Sequence, residues 1–308
     1  MTEDTRQILL VTHTGRPSAT ATSRELISRL QQEGLRVVAP ASEAAELGQA
    51  GVEAWSPADT VELVVVVGGD GTILRGAELA RAGRTPLLGI NVGRVGFLAE
   101  AEQHDIDRVA EQVVARSYSV EPRVAVEVEV EVEGNIRHRH WGLNEIAVEK
   151  ASRARMIEVG IEVDGRRLSR WGCDGVVCAT PTGSTAYAFS AGGPVVWPDV
   201  DALLVVPLSA HALFARPLVI APTSVIRIDL LSMSAPAVLS ADGRRGLDLA
   251  PGSRVSVRRS DEPVLLARLE QTPFTERLVA KFGLPVQGWT VDRGGPLVER
   301  SRGDGKPG

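Results

Sequence analysis

The run Leu63-Val64-Val65-Val66-Val67 passes without a break into Gly68-Gly69-Asp70-Gly71-Thr72, and then into Ile73-Leu74-Arg75-Gly76-Ala77-Glu78. Five apolar, mostly β-branched residues in a row fit a strand covered on both faces. The glycines fit a sharp change of direction, and the spacing after them fits a helix. Strand, turn and helix in that order is the unit of an open parallel sheet, whose ligands lie beyond the carboxyl ends of the strands. Three glycines in four positions either let phosphates approach bare backbone at a helix N-terminus or supply the positive φ angles of a plain turn. Asp70 is the one residue among those four with a side chain. Its carboxylate would repel a phosphate unless a cation or a hydroxyl proton lay between them, which points to chemistry as well as binding.

The same alternation runs through residues 1–119. A short apolar run, Ile8-Leu9-Leu10-Val11, precedes a helix signalled by Thr22 and Glu25 at capping-box spacing, by Leu26, Ile27 and Leu30 on one face, and by Gly34 as terminator. Further strands are expected at 35–39 and 86–91, and helices at 73–82 and 106–116. This is the pattern of right-handed βαβ units in an α/β domain with an open parallel sheet. Arg16, in the loop His13-Thr14-Gly15-Arg16-Pro17, should open on the same edge as Asp70, although an arginine in a loop is more often simply solvated.

From about residue 120 the period becomes two. Val124, Val126, Val128, Val130 and Val132 alternate with Ala125, Glu127, Glu129 and Glu131, as on a half-buried antiparallel strand. A three-residue turn at Glu133-Gly134-Asn135 would set Val132 opposite Ile136, Glu131 opposite Arg137 and Glu129 opposite Arg139. His138 and His140 share a face, but no third metal ligand accompanies them. A second alternating run ends at Asp164-Gly165, a hairpin signal, and short β runs follow at 176–179, 203–207, 225–231, 255–258 and 264–269. A second, mainly β domain of layered sheets is expected over 120–270. Phe274, Leu278 and Phe282 then make a helical stripe with little use in a domain of strands, so the tail 271–299 is expected to complete the first domain. Residues 300–308 carry no apolar side chain and read as disordered.

Composition narrows the partners. Lys and Arg number 34 against 39 Asp and Glu, a net charge of −5 with no basic footprint for nucleic acid or an anionic membrane. Cys173 and Cys178 match neither a redox pair nor a zinc framework. The polar, acidic N-terminus lacks the features of a signal peptide, and no apolar run approaches the ~20 residues that span a bilayer. A cytoplasmic protein is expected.

A second dense stretch begins at Gly172-Cys173-Asp174-Gly175 and runs through Thr180-Pro181-Thr182-Gly183-Ser184-Thr185-Ala186-Tyr187-Ala188-Phe189-Ser190-Ala191-Gly192-Gly193-Pro194. Hydroxyls, amides freed by glycines and one aromatic are what a loop needs to hold a ribose and a base, although the same residues also cap helices and make turns. With GGDGT at 68–72, GINVGRVGFL at 89–98, Asn144-Glu145 and the SADG ending at Asp242-Gly243, this stretch resembles the NAD kinases. The resemblance spans most of residues 60–245. It implies phosphorylation of the adenosine-ribose 2′-hydroxyl of NAD by ATP, or by polyphosphate, with Mg²⁺ or another divalent cation. It also implies a homo-oligomer, dimer or tetramer, with the active site between the domains.

Carried across, the resemblance makes Asp70 the general base, with Gly68, Gly69, Gly71 and Thr72 at the donor phosphates. It puts Asn144, Glu145, Asp174, Thr182, Thr185, Ala186, Tyr187 and Ser190 at the dinucleotide, and Phe97 near its adenine. No residue is assigned as a dedicated metal ligand. Arg94, Arg244 and Arg245 are phosphate candidates on charge alone, and Arg244 stands where many relatives carry glutamine. Absence of GxxxxGK[ST] and of GxGxxG argues against a P-loop kinase and a Rossmann dehydrogenase. A lipid kinase of the diacylglycerol or sphingosine type would explain GGDGT but not residues 174–194. A non-catalytic dinucleotide sensor would keep those residues and could dispense with Asp70.

Overall fold

The structure, a computed structural model, describes residues 6–48, 51–93, 96–270 and 272–286. Arg94 and everything after residue 286 lie outside them. Helices are α1 (Pro17–Gln32), α2 (Ala41–Leu47), α3 (Asp70–Ala82), α4 (Ile106–Val114), α5 (Tyr187–Ser190) and α6 (Phe274–Phe282). None among the described residues is long and apolar enough to cross a membrane.

The first part is α/β. Its sheet runs in the order Glu53–Ala54, Arg36–Ala39, Gln7–Thr12, Leu63–Gly68, Leu87–Asn91, Val264–Arg268, Ser119–Arg123, with Ala101–Glu102 beside Leu87–Asn91. Every pairing is parallel except that of Ser119–Arg123 with Val264–Arg268. The valine run explains itself here. Val65 and Val67 face a core shared with α1 and α4, while Val64 and Val66 face one shared with Ile73, Leu74 and Ala77 of α3. Successive residues point to opposite faces, and both faces are covered. The α3 side also takes in Ala125 and Leu143 from the second part, so α3 lies between the parallel sheet and the β-rich domain.

That domain stacks two six-stranded antiparallel sheets. Val126, Val128 and Val130 from one sheet share an apolar interior with Ile146, Val148, Val176 and Cys178 from the other. Cys173 and Cys178 are buried and free, and burial pushes their thiols up to about 11 and about 12.

Three local expectations need correction, and one open alternative is decided. Helix α1 starts at Pro17, not near Thr22. Proline suits the first helical position, and Thr22 and Ser23 are buried inside the helix, where Ser23 Oγ donates to Thr12 Oγ1 at 2.9 Å. The hairpin turn has two residues, Glu133 and Gly134, with φ of 52° and 75°. Val132 therefore pairs with Asn135 and Glu131 with Ile136, and a bulge restores the expected pairing of Glu129 with Arg139.

The run at 264–269 supplies a strand to the first sheet, as does Ser119–Arg123, so neither belongs to the β-rich domain as its expected bounds of 120–270 implied. A period-two pattern does not say which sheet a strand joins. Finally, none of Gly68, Gly69 and Gly71 has a positive φ. Gly69 is extended, and α3 begins directly at Asp70.

Gly76 sets how closely α3 lies on the sheet, because a Cβ there would overlap Val66 Cγ2 and stand 3.0 Å from Leu87 Cδ1. Gly76→Ala should overpack this contact and lower stability by about 1–3 kcal/mol, despite alanine's better helix propensity. Urea unfolding measures it, and an unchanged midpoint would mean that α3 shifts freely on the sheet.

Candidate active site

Asp70 opens α3 at the carboxyl end of Leu63–Gly68. Its Oδ2 accepts from the Phe97 amide and its Oδ1 from the Leu98 amide, each at 3.4 Å, and a Cβ on Gly96 would run into the carboxylate. The chain after the strand Leu87–Asn91 thus folds over Asp70 and fixes its direction. Gly68 has a different task from its neighbours. A side chain there would stand 2.6 Å from Thr72 Oγ1, so Gly68 makes room for Thr72 and does not itself line the adjoining cavity.

Gly69 and Gly71 do line it. A Cβ on either would meet nothing within 4 Å, so their bare backbone faces open space. This cavity, about 480 Å³, is closed by Thr72, by the loop His13 to Arg16, and by Arg75 and Arg244. Arg75 was not marked in the sequence, yet it lies four residues after Gly71 and so on the same helix face. It is held by the buried carboxylate of Glu43, with Nη2 to Oε1 2.5 Å, and by the Thr12 carbonyl at 3.1 Å. Burial raises the pKa of Glu43 even against the pull of the Thr12 amide and Arg75. Arg16 joins the same cavity, with Nη1 3.4 Å from the Val92 carbonyl. A helix start, unshielded amides and three arginines make a cavity suited to anions.

Asn144 and Glu145 form a corner directly after Leu143, which packs in the apolar cluster of α3. The corner is held from below by Asp242, whose carboxylate accepts from the amides of Leu143 at 3.0 Å, Asn144 at 2.7 Å and Glu145 at 3.2 Å. It is held from above by the 180–186 loop. Thr180 donates its amide to the Asn144 carbonyl at 2.9 Å and its hydroxyl to the Leu143 carbonyl at 2.6 Å, and a Cβ on Gly183 would collide with Asn144. Glu145 is buried, and its Oε2 has no hydrogen bond among the described residues. Burial, then the charge of Asp242, pushes its carboxyl up to about 8, so it is mostly protonated at pH 7.

The remaining expected dinucleotide residues fall into three groups. Tyr187 donates to Glu149 at 2.5 Å and Lys150 donates to Asp174 at 2.5 Å. Burial and Glu149 raise the pKa of Tyr187. The acceptor Glu149 and the donor Lys150 lie toward the far end of Glu145–Lys150, while the Tyr187 backbone amide bonds Glu145 at the corner itself. Thr182, Thr185 and Phe97 instead line a cavity of about 690 Å³ with Trp197, Arg268 and Phe274. The Phe97 ring lies 5.9 Å from Phe274 and 5.8 Å from Phe282, so α6 walls this cavity. The Ser190 hydroxyl donates to the Tyr187 carbonyl at 2.9 Å, and the Ala186 amide to the Gly183 carbonyl, both within the local turns. His138 and His140 stand on an outer strand, and no group of three metal-ligating side chains occurs among the described residues.

This two-part architecture has matches in known proteins. Residues 8–118 match the ATP-NAD kinase N-terminal domain and residues 143–269 the ATP-NAD kinase C-terminal domain. The chain belongs to the NAD kinase family. It is 54% identical over 297 residues to NAD kinase 2 of Streptomyces coelicolor, covering 94% of this chain and 98% of that one. It is 53% identical over 311 residues to the NAD kinase of Thermobifida fusca, covering 97% and 94%.

Among solved structures, an NAD kinase from Archaeoglobus fulgidus in complex with ATP superposes with a TM-score of 0.67 at 29% identity, covering 90% of this chain and 97% of that one. Yeast NADH kinase complexed with NADH reaches 0.85 at 24% identity, covering 94% and 91%, a likeness of fold. As an NAD kinase the chain is a phosphotransferase with an alcohol acceptor, and the lipid-kinase alternative is set aside.

The raised Glu145 pKa has a signed consequence. Its folded value lies above the ordinary 4.5, so its contribution to stability is complete below about 4.5 and is lost as pH rises through about 8. Glu145→Gln removes that dependence. The Tm of the variant relative to the parent should therefore climb between pH 5 and pH 8.5 in thermal scans. A difference that stays flat across this range would show that Glu145 ionises normally in the folded protein.

Proposed function

We propose that the chain transfers the terminal phosphoryl group of ATP, with polyphosphate as an alternative donor, to the adenosine-ribose 2′-hydroxyl of NAD, giving NADP. The observation that carries this reading is the position of Asp70. Asp70 opens α3 between Gly69 and Gly71, which line the arginine-bearing cavity, and its carboxylate accepts from the amides of Phe97 and Leu98, which line the second cavity with Thr182 and Thr185.

In this reading the donor phosphates lie against Gly69, Gly71 and Thr72, with Arg16, Arg75 and Arg244 around them. The dinucleotide is held by Asn144, Glu145, Thr182, Thr185 and Ala186, with Phe97 at its base and Tyr187, Ser190 and Asp174 farther out. A Glu145 that is mostly protonated offers no like-charge repulsion to an anionic dinucleotide. Asp70 takes the proton of the 2′-hydroxyl as that oxygen bonds to the terminal phosphorus. The bond from phosphorus to the bridging oxygen breaks, and ADP leaves with the electron pair.

A divalent cation fits this site without a cage of protein ligands. Mg²⁺ is commonly held by substrate phosphates plus one or two carboxylates, and Asp70 is the carboxylate at the cavity's edge. Bound there, it would neutralise charge on the transferring group. The enzyme is read as cytoplasmic and as a dimer or tetramer of identical chains.

Asp70→Asn keeps the shape and one acceptor oxygen but cannot accept the proton. It should lower kcat by about 10²–10⁴-fold while NAD affinity, measured by calorimetry, stays within about tenfold. Near-normal turnover by this variant would remove Asp70 as the base and favour the sensor reading. Activity should also disappear in EDTA and return with Mg²⁺ or Mn²⁺, and full turnover in chelator would exclude the cation.

A further inference from the structure

We infer that Glu78 couples the donor cavity to the Asn144–Glu145 corner, with Arg244 and Arg245 as the two arms of the link. The inference rests on the assignment of donor and dinucleotide given above. Glu78 lies on α3, two turns after Asp70, on the side that meets the β-rich domain. One of its oxygens, Oε1, serves two neighbouring guanidinium groups. It accepts from Arg244 Nε at 3.1 Å and stands 3.4 Å from Arg245 Nε. The second contact is an ion pair without hydrogen-bond geometry, and Arg245 Nε is buried with no hydrogen bond among the described residues. The two arginines therefore compete for one acceptor.

The arms lead to different places because Arg244 closes the turn that passes through the left-handed Asp242 and Gly243, whereas Arg245 opens the strand Arg245–Leu249. Arg244 lines the donor cavity with Gly69, Gly71 and Arg75. Arg245 turns the other way. Its Nη2 donates to Asp242 Oδ2 at 2.8 Å, and its guanidinium lies over the ring of Trp141, 4.6 Å from the centroid. Asp242 in turn carries the three amide bonds that shape the corner.

A phosphate arriving in the donor cavity offers Arg244 a charge-assisted partner that Glu78 must share or lose. Glu78 is then released toward the unsatisfied Nε of Arg245. Completing that bond stiffens the Arg245–Asp242 pair and with it the backbone that presents Asn144 and Glu145. The coupling runs equally in reverse, since a link between two binding equilibria is reciprocal. Glu78, Arg245 and Asp242 are positioning residues in this scheme, and Arg244 is the arm that meets the donor phosphate. The transferred group and the accepting hydroxyl meet Asp70.

The test measures NAD affinity of the full chain by calorimetry, with and without a non-hydrolysable imido analogue of ATP plus Mg²⁺. In the parent protein the analogue should tighten NAD binding about fivefold or more. Glu78→Gln should bring that ratio to within about twofold of one, by weakening the competition at its source. Arg244→Gln, a change at a third-exposed side chain that leaves the core intact, should abolish the ratio as well and raise the donor KM. The double variant should lose no more coupling than either single one.

An analogue effect that is unchanged in both variants, or absent from the parent, overturns the link. NADP formation by the parent protein is scored separately. If no NADP forms, the assignment of function fails, whereas normal NADP formation with uncoupled binding refutes the role of Glu78 alone.

Discussion

Everything at this site depends on how α3 is seated. The helix lies against the parallel sheet with only a glycine between its backbone and Val66, and its opposite side meets Ala125 and Leu143 of the β-rich domain. Buried on both sides, it cannot slide without breaking two apolar contacts at once. Its first turn is consequently fixed at the carboxyl edge of the sheet, where amides lack intrahelical partners. Asp70 is the first residue of that turn, so the position of a single carboxylate is inherited from the packing of thirteen residues.

The same packing explains why the turn into α3 is polar without being strained. None of Gly68, Gly69 and Gly71 adopts a left-handed conformation, so they are needed for what they leave empty. Gly68 leaves room for Thr72, while Gly69 and Gly71 leave amides uncovered. On the far side of Asp70, the chain from Gly96 to Leu98 is kept in place by α6. Arg277 of that helix donates to the Ala99 carbonyl at 2.6 Å and pairs with the buried Glu100, which also binds Arg268. Burial lowers Arg268 to about 9 even so. Buried ion clusters of this kind contribute little net stability but fix geometry, and here the geometry fixed is that of the amides bonded to Asp70.

Much of the fold was legible in the sequence because it rests on local patterns. The valine run before GGDGT has no solvated face to explain it, and the valine–glutamate alternation from 126 to 131 has one. What was not legible depended on long-range placement. The run at 264–269 has the same alternation whichever sheet receives it, and only the free edge beside Leu87–Asn91 decides the matter. The start of α1 was misplaced because a capping pattern at Thr22 competed with Pro17, and Thr22 lies in the second turn of the helix, past the amides that a cap would serve.

Within the candidate site, Gly69, Gly71 and Thr72 could be marked from their spacing. Arg75 could not, since arginines are usually solvated, and Arg244 could be marked on charge alone; the two are 169 positions apart in the chain (244 less 75) yet line one cavity.

A further asymmetry follows from the charges themselves. On the donor side of Asp70 the cations are partly engaged. Arg75 has the buried Glu43, Arg244 has Glu78, and Arg16 rests on a carbonyl. On the corner side the carboxylates are the engaged groups. Asp242 is surrounded by three amides and Arg245, and Glu145 is relieved by a proton. Each half carries its charge already paired, so neither half is costly to fold without ligand. Anions that enter the donor side exchange carboxylate partners for phosphate, which changes the balance at the helix without exposing any charge that was previously unpaired. A rearrangement of that kind can be driven by differential contacts alone, and the shared oxygen of Glu78 is where the two halves meet.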